Sequence, residues 1–387
     1  MKAHGIDDVM FTFAGTPAWA SSNPTDTFCD NGAGGCYLPS DINLDGSGTN
    51  QTLVDAITAI ATHVNDPTYL QTHAHIRSWE SWNEFHRDPL LGYSGTPQFG
   101  WSIYATYAQI VRITEDFRCA ITGKGSVNGS PCRATAIDPT AIITTPSSAP
   151  RTFGRSVMEN FLNCDAAPVS GSQCSTASRG SAAIDVLNWH YYETSGKAED
   201  LLSDAQSAKA LLTPADAAKP AWNSEGGWGL NTNLSDIDMQ VAFVARYYLL
   251  GYGAGLARMY WYQWDNSGWG TMWRVRSGSG CTVSNSGGFL CPAGTAYNNI
   301  HDWLVGSVLG TCSASGNIWS CPVTRPGGYQ ALVVWDASRT CSAGACTTST
   351  YVPGSQYIKY RDLNGNTTAL TGSSVPVSAK PIILENQ

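Results

Sequence analysis

The chain has 387 residues, 42% of them hydrophobic and 13% charged, with a formal net charge of −8. This is a globular composition of low charge density, long enough for one barrel-sized domain of about 250 residues and a smaller module. Its acidity excludes the basic surface that nucleic acid demands and gives no attraction to an anionic membrane, and no apolar run approaches the about 18 residues of a membrane span.

Strand and helix signals alternate along the first three quarters of the chain. A β-rich run at residues 8–15 precedes an amphipathic stretch at 51–65, and 75–82 precedes 100–117. The pattern repeats as 136–146 then 152–163, 183–192 then 197–212, 219–226 then 235–251, and 256–264 then 295–308. Six strand–helix units in succession predict a parallel sheet with covering helices. From about Val308 short strand-like runs at 318–323, 329–336, 356–362 and 375–384 are separated by turn residues with no helix signal between them. Residues 1–308 therefore read as an α/β domain and 309–387 as an antiparallel β-sandwich module.

The twelve cysteines fall in order into six close pairs, 29–36, 119–132, 164–174, 281–291, 312–321 and 341–346. The enclosed stretches are rich in Gly, Ser, Asn and Pro, so each pair is expected to clip one surface loop. Only Cys341 and Cys346 approach zinc-ligand spacing. His73, His75 and His86 match no ligand pattern, and no metal or cofactor is expected. Disulfides imply an oxidising compartment, extracellular or periplasmic. Residues 1–8 lack the apolar centre of a signal peptide, so no leader is present in this chain.

Two glutamates stand at predicted strand ends, one in Trp79-Glu80-Ser81-Trp82-Asn83-Glu84 and one in Trp222-Asn223-Ser224-Glu225-Gly226-Gly227. Catalytic groups of a (β/α) barrel occupy the C-terminal strand ends. Glycoside hydrolysis needs such a pair of carboxyls, one held protonated and the other ionised. Trp-Glu-Ser-Trp-Asn-Glu resembles the W-E-x-W-N-E acid/base signature of glycoside hydrolase clan A, and Ser224-Glu225-Gly226 resembles that clan's nucleophile strand. His190-Tyr191-Tyr192 is similar to its H-x-Y, Trp261-Tyr262-Gln263-Trp264 to its Trp-bearing eighth strand, and Thr16-Pro17-Ala18-Trp19 to a T-P-x-W turn after strand three. With the β module, the chain is most similar to the xylosidase- and iduronidase-like family 39.

The resemblance implies a (β/α)8-type TIM barrel and a retaining double displacement. It makes Glu84 the acid/base and Glu225 the nucleophile. Asn83 would bond the sugar 2-OH, Tyr192 would donate to Glu225, and His190 would line the same strand end. Trp261 or Trp264 would form the floor under the ring, with Trp19 a further substrate contact. Glu80 reads as a structural group below the site. The expected partner is an oligosaccharide or polysaccharide, a β-linked plant or microbial glycan. Other clan activities, an α-L-arabinofuranosidase or an endo-glucanase, fit the same motifs, and a non-catalytic carbohydrate-binding scaffold is the rival from another class. One feature departs from the clan: only six strand–helix units precede the β module, and the first carries what the clan places on strand three. The barrel therefore reads as N-terminally incomplete, lacking strands one and two.

Overall fold

The computed structural model describes residues 1–27, 29, 32–85, 103–149, 153–164, 179–265, 268–276, 280–283 and 287–387. The chain divides into two compact units, Met1–His190 with Ser207–Trp222, and Tyr191–Gln206 with Asn223–Gln387.

The first unit starts from β1 (Asp8–Thr12), followed by α1 (Gln51–Val64), α2 (Pro67–Thr72), β2 (His75–Glu80), α3 (Tyr107–Thr122), β3 (Ile142–Thr144) and α4 (Phe153–Leu162). β1, β2 and β3 pair in parallel in that order, with Phe11 opposite Trp79 and Trp79 opposite Ile143. Trp79 is fully buried among Ile57, Ala61, Phe117, Ile121 and Ile143, and Val9, Phe11 and Phe13 pack against this cluster. Ile57, Ala61 and Val64 recur at helical spacing, so α1 turns one apolar face inward. A parallel bridge between Thr144 and Val186 carries the pairing on to β4 (Leu187–Tyr192), and Leu187 N–H donates to the Pro220 carbonyl at 3.0 Å.

Two of the boundaries that differ from the sequence expectation have a plain local reason. The helix expected at 100–117 begins at Tyr107, because Thr106 and Gln109 close a reciprocal capping box there, and it ends at Gly123 in the left-handed conformation. The strand expected at 136–146 shortens to three residues. Asp138 accepts from the Thr140 N–H and hydroxyl, at 2.8 and 2.6 Å, and Pro139 has no N–H to give to a ladder.

In the second unit the later residues of β4 and of β5 (Ala221–Gly227) join β6 (Leu256–Met259), in the order β4-β5-β6. Glu193 N–H donates to the Gly227 carbonyl at 2.9 Å and Tyr260 N–H to the Asn223 carbonyl at 2.8 Å. α5 (Asp200–Lys209), α6 (Ile237–Gly253) and α7 (Pro292–Leu304) follow, α6 capped by Asp236, which accepts from Met239 N–H at 2.9 Å.

The last eighty residues form a seven-stranded antiparallel sheet from β7 (Val308–Leu309), β8 (Ser313–Ser315), β9 (Ile318–Arg325), β10 (Tyr329–Asp336), β11 (Lys359–Arg361), β12 (Thr367–Ala369) and β13 (Ile382–Glu385). Its order is β7-β9-β10-β13-β11-β12, with β8 also on β9. Pro326-Gly327-Gly328 closes the long β9–β10 hairpin, and a separate pair joins Ser349–Tyr351 to Val375–Val377. Part-buried polar contacts tie this sheet to α6 and to the start of α5 in the same unit. Trp335 Nε1–H and the Arg246 guanidinium both donate to Glu199 Oε1, at 2.9 and 3.0 Å.

Five of the expected disulfides are present, 29–36, 119–132, 281–291, 312–321 and 341–346. Each closes a loop worth roughly 2–3 kcal/mol in the chain-entropy view. Cys164 is also disulfide-bonded, and its expected partner Cys174 lies outside the described residues. Among the described residues no helix is long and apolar enough to cross a membrane.

Candidate active site

Asn83, Glu84 and His190 belong to the first unit. β2 ends at Glu80, which is fully buried and accepts from Asn188 Nδ2–H at 2.5 Å, a structural bond beneath the strand end. Beyond it the chain turns sharply: Glu84 takes a left-handed φ of 48°. For a non-glycine residue this costs of order 1–3 kcal/mol, so surrounding contacts must over-determine it. They do. Glu84 N–H donates to Ser147 Oγ at 2.8 Å, Phe85 N–H to the Ser147 carbonyl at 3.2 Å, and Ser147 N–H to the Trp82 carbonyl at 3.0 Å. Asn83 N–H donates to the Phe13 carbonyl at 2.9 Å, fixing the segment to the chain leaving β1.

The Glu84 carboxyl is buried, with His190 Nδ1 3.2 Å from its Oε1. His190 is 2% exposed and donates its own N–H to the Ser148 carbonyl at 2.9 Å. Thr145 completes the template: its hydroxyl accepts from Asn188 N–H at 2.8 Å and donates to the Asn188 carbonyl at 2.9 Å. The residues following β3 therefore hold both the Glu84 turn and the end of β4.

Tyr192, Glu225 and Trp261 belong to the second unit. Glu225 sits near the C-terminal end of β5, half-buried, and accepts from the Tyr192 hydroxyl at 2.6 Å. Tyr192 is wedged edge-on to Tyr262 and Trp269, with ring centroids at 6.4 and 5.8 Å. Beneath Glu225, Asn223 Oδ1 accepts from Tyr191 N–H at 3.3 Å and Asn223 Nδ2–H donates to the Tyr247 hydroxyl at 3.0 Å. Tyr247 in turn donates to the Tyr191 carbonyl. Burial, reinforced by the Glu193 charge, pushes the Tyr247 phenol well above its ordinary pKa, so it stays a donor. Gly226 has no room for a side chain: a Cβ there would meet the Tyr191 carbonyl oxygen and the Tyr247 hydroxyl, each at 2.2 Å.

Trp261 is half-buried and packs edge-on to Trp228 at 5.0 Å and Tyr247 at 5.5 Å, its Nε1–H donating to the Gly270 carbonyl at 2.6 Å. Trp264 is 43% exposed and leans edge-on to Tyr297 at 5.9 Å. Trp19 is 81% exposed on the loop that follows β1. His75 Nε2 lies 3.2 Å from Asp138 and 3.1 Å from Asn65, and His73 stacks on Tyr69 at 4.2 Å, while His86 lies outside the described residues.

Sequence reasoning passed over Ser147, Ser148, Asn223 and Trp269. The hydroxyl run Thr144-Thr145-Pro146-Ser147-Ser148 at a strand end was the available signal for the first two, since such a run offers side-chain oxygens to neighbouring backbone N–H groups.

No family model matches the sequence, and neither does any curated relative. Among solved structures the fold is similar to a family 39 glycoside hydrolase from the gut symbiont Bacteroides cellulosilyticus, with a TM-score of 0.56 at 15% identity over 87% of this chain and 62% of that chain. It is also similar to the catalytic domain of the family 30 xylanase C from Talaromyces cellulolyticus, with a TM-score of 0.54 at 13% identity over 99% of this chain and 77% of that one. The chain thus spans under two thirds of the length of the family 39 structure. At these identities the likeness is one of fold alone, a TIM-barrel framework shared with these glycoside hydrolase structures.

Proposed function

We propose that this protein is a retaining glycoside hydrolase acting on β-glycosidic bonds of plant or microbial glycans, with a β-xyloside or β-glucoside as the best substrate. Glu84 protonates the leaving oxygen and then deprotonates water. Glu225 attacks the anomeric carbon and forms the glycosyl intermediate. Asn83 bonds the sugar 2-OH, a contact that strengthens in the oxocarbenium-like transition state. His190 lines the Glu84 strand end and Tyr192 keeps Glu225 oriented. Trp261 or Trp264 supports the ring, and Trp19 contacts the sugar chain further out.

The observation that carries this reading is that a polar side chain from β4 meets each glutamate, His190 Nδ1 at 3.2 Å from Glu84 and the Tyr192 hydroxyl donating at 2.6 Å to Glu225. Retention requires the two carboxyls to face each other at about 5–5.5 Å. We take residues 1–308 as the catalytic domain, its strands as the third to eighth of a barrel, and residues 309–387 as an appended β-sandwich module. The disulfides favour an extracellular or periplasmic location.

A panel of aryl β-glycosides and polysaccharides identifies the sugar. On the substrate found, Glu84→Gln and Glu225→Gln are each expected to lower turnover by several orders of magnitude. Azide is expected to restore activity to Glu225→Ala with inverted product. An inverted product from the unsubstituted enzyme, seen by proton NMR, overturns the mechanism.

A further inference from the structure

We infer that Ser147 is a positioning residue for the acid/base, its hydroxyl setting the direction in which the Glu84 carboxyl points. The inference rests on the proposed role of Glu84 and adds a residue that no motif named. Ser147 is fully buried and meets the Glu84 turn three times, through its N–H to Trp82, its carbonyl from Phe85 and its hydroxyl from Glu84 itself. The two backbone bonds survive any substitution other than proline. The hydroxyl bond is the one that acts on Glu84, and it acts on the residue whose φ of 48° is the least tolerant of drift. A few degrees of rotation at Glu84 swing its carboxyl through an arc at the end of a three-bond side chain. The partner at 3.2 Å, His190, is held by Ser148, the next residue along, so the template fixes the carboxyl's partner independently of the carboxyl. Loss of the Ser147 hydroxyl therefore moves Glu84 relative to both its substrate proton and its histidine, while the β2, β3 and β4 pairings remain.

A general acid matters in proportion to how poor the leaving group is, which separates positioning from stability. The test compares kcat/KM for a phenyl and a 2,4-dinitrophenyl β-glycoside of the sugar selected by the panel. Ser147→Ala is expected to lower kcat/KM on the phenyl glycoside by at least about 10-fold, within the about 10²–10⁴-fold that general acid catalysis contributes, and to leave the dinitrophenyl glycoside within about 3-fold of the unsubstituted enzyme. Ser147→Thr, which keeps the hydroxyl, is expected to restore most of the phenyl activity. Amide hydrogen exchange gives a second reading that needs no turnover: the peptide containing Glu84 exchanges faster in Ser147→Ala, and that containing Trp79 does not. Equal losses on both glycosides, or unchanged exchange at Glu84, overturn the inference. Glu84→Gln serves as the reference. If it fails to discriminate between the two glycosides, the acid/base assignment itself is wrong, whatever Ser147→Ala does.

Discussion

Replacing Gly226 by alanine adds one methyl beside Glu225, and the consequence follows from distances. An ordinary Cβ contact begins at about 3.4 Å, whereas a Cβ at Gly226 would stand 2.2 Å from the Tyr191 carbonyl oxygen and from the Tyr247 hydroxyl. One of these is backbone of β4, and the other is anchored by its bonds to that carbonyl and to Asn223. Neither is the loose end of a flexible side chain, so β5 itself must retreat by about 1 Å, the difference between the two separations. A misplacement of that size at a reacting group costs about 100-fold in rate. Overpacking of this kind also destabilises by about 1–3 kcal/mol. Gly226→Ala is therefore expected to fold, with intact far-ultraviolet circular dichroism and a midpoint lowered by several degrees, and to lose about 100-fold in kcat/KM on the best aryl glycoside. Activity within 3-fold of the unsubstituted enzyme at an unchanged midpoint would show that β5 has slack the geometry denies.

Three further outcomes are expected. Arg361→Leu removes both bonds, 2.8 and 2.9 Å, that the guanidinium makes to the buried Glu385, leaving that carboxylate, among the described residues, the Tyr329 hydroxyl at 2.6 Å. Breaking a buried pair costs about 3–5 kcal/mol; with Arg361 partly exposed, about 2–3 is expected, and an unchanged calorimetric midpoint refutes it. Asp336 is pushed up by burial but pulled down further by Ser349, Ser338 and Arg339, to about 2. A depressed carboxyl stabilises above its unfolded value near 3.8 and loses that contribution as pH falls to about 2, so the midpoints of Asp336→Asn and the unsubstituted protein should converge over that window; a gap independent of pH sinks the assignment. Alkylation of the folded, unreduced protein should label no thiol and peptide mapping should recover 164–174 with the other five pairs, while a free Cys174 would break the sixth.

Much of the sheet was legible because its signals are local. The β1, β2 and β4 runs alternate with helices whose apolar positions recur at 3.6 residues, and the start of α6 at the Asp236 cap falls close to the expected 235, whereas the caps at Asp66 and Thr106 were passed over. What the sequence hid are contacts between residues far apart in the chain. Nothing near Glu225 reveals that Gly226 lies under Tyr247, and nothing in the β10 pattern reveals that Trp335 shares Glu199 with Arg246. The short β3 was overread for the opposite reason: an apolar run of adequate length was interrupted by Asp138 and Pro139, whose turn chemistry outweighs β propensity.

The same contrast explains why the two glutamates stand out in the sequence while the residues that hold them do not. An acid/base or nucleophile is limited to a few residue types, so it leaves a motif. Its support needs only a donor or acceptor at the right place, which serine, threonine, asparagine or the backbone supplies equally well. At Glu84 that support is chiefly backbone and hydroxyl: three bonds to Ser147, one to Phe13, and His190 held through the Ser148 carbonyl. At Glu225 it is an aromatic hydroxyl, with an asparagine beneath. Two carboxyls with such different surroundings suit the double displacement proposed above, in which one group must carry a proton that the other must lack. A substitution that made the two environments alike should therefore cost more activity than its effect on stability explains. Tyr192→Phe is the smallest such change, because it removes the 2.6 Å bond while keeping the ring that packs on Trp269. A hydrogen bond to a charged group contributes about 1.5–3 kcal/mol, so a loss of roughly 10- to 150-fold in kcat/KM with a midpoint shifted by no more than a few degrees is the expected result. An equal activity in the phenylalanine variant would mean that Glu225 is oriented by something other than Tyr192.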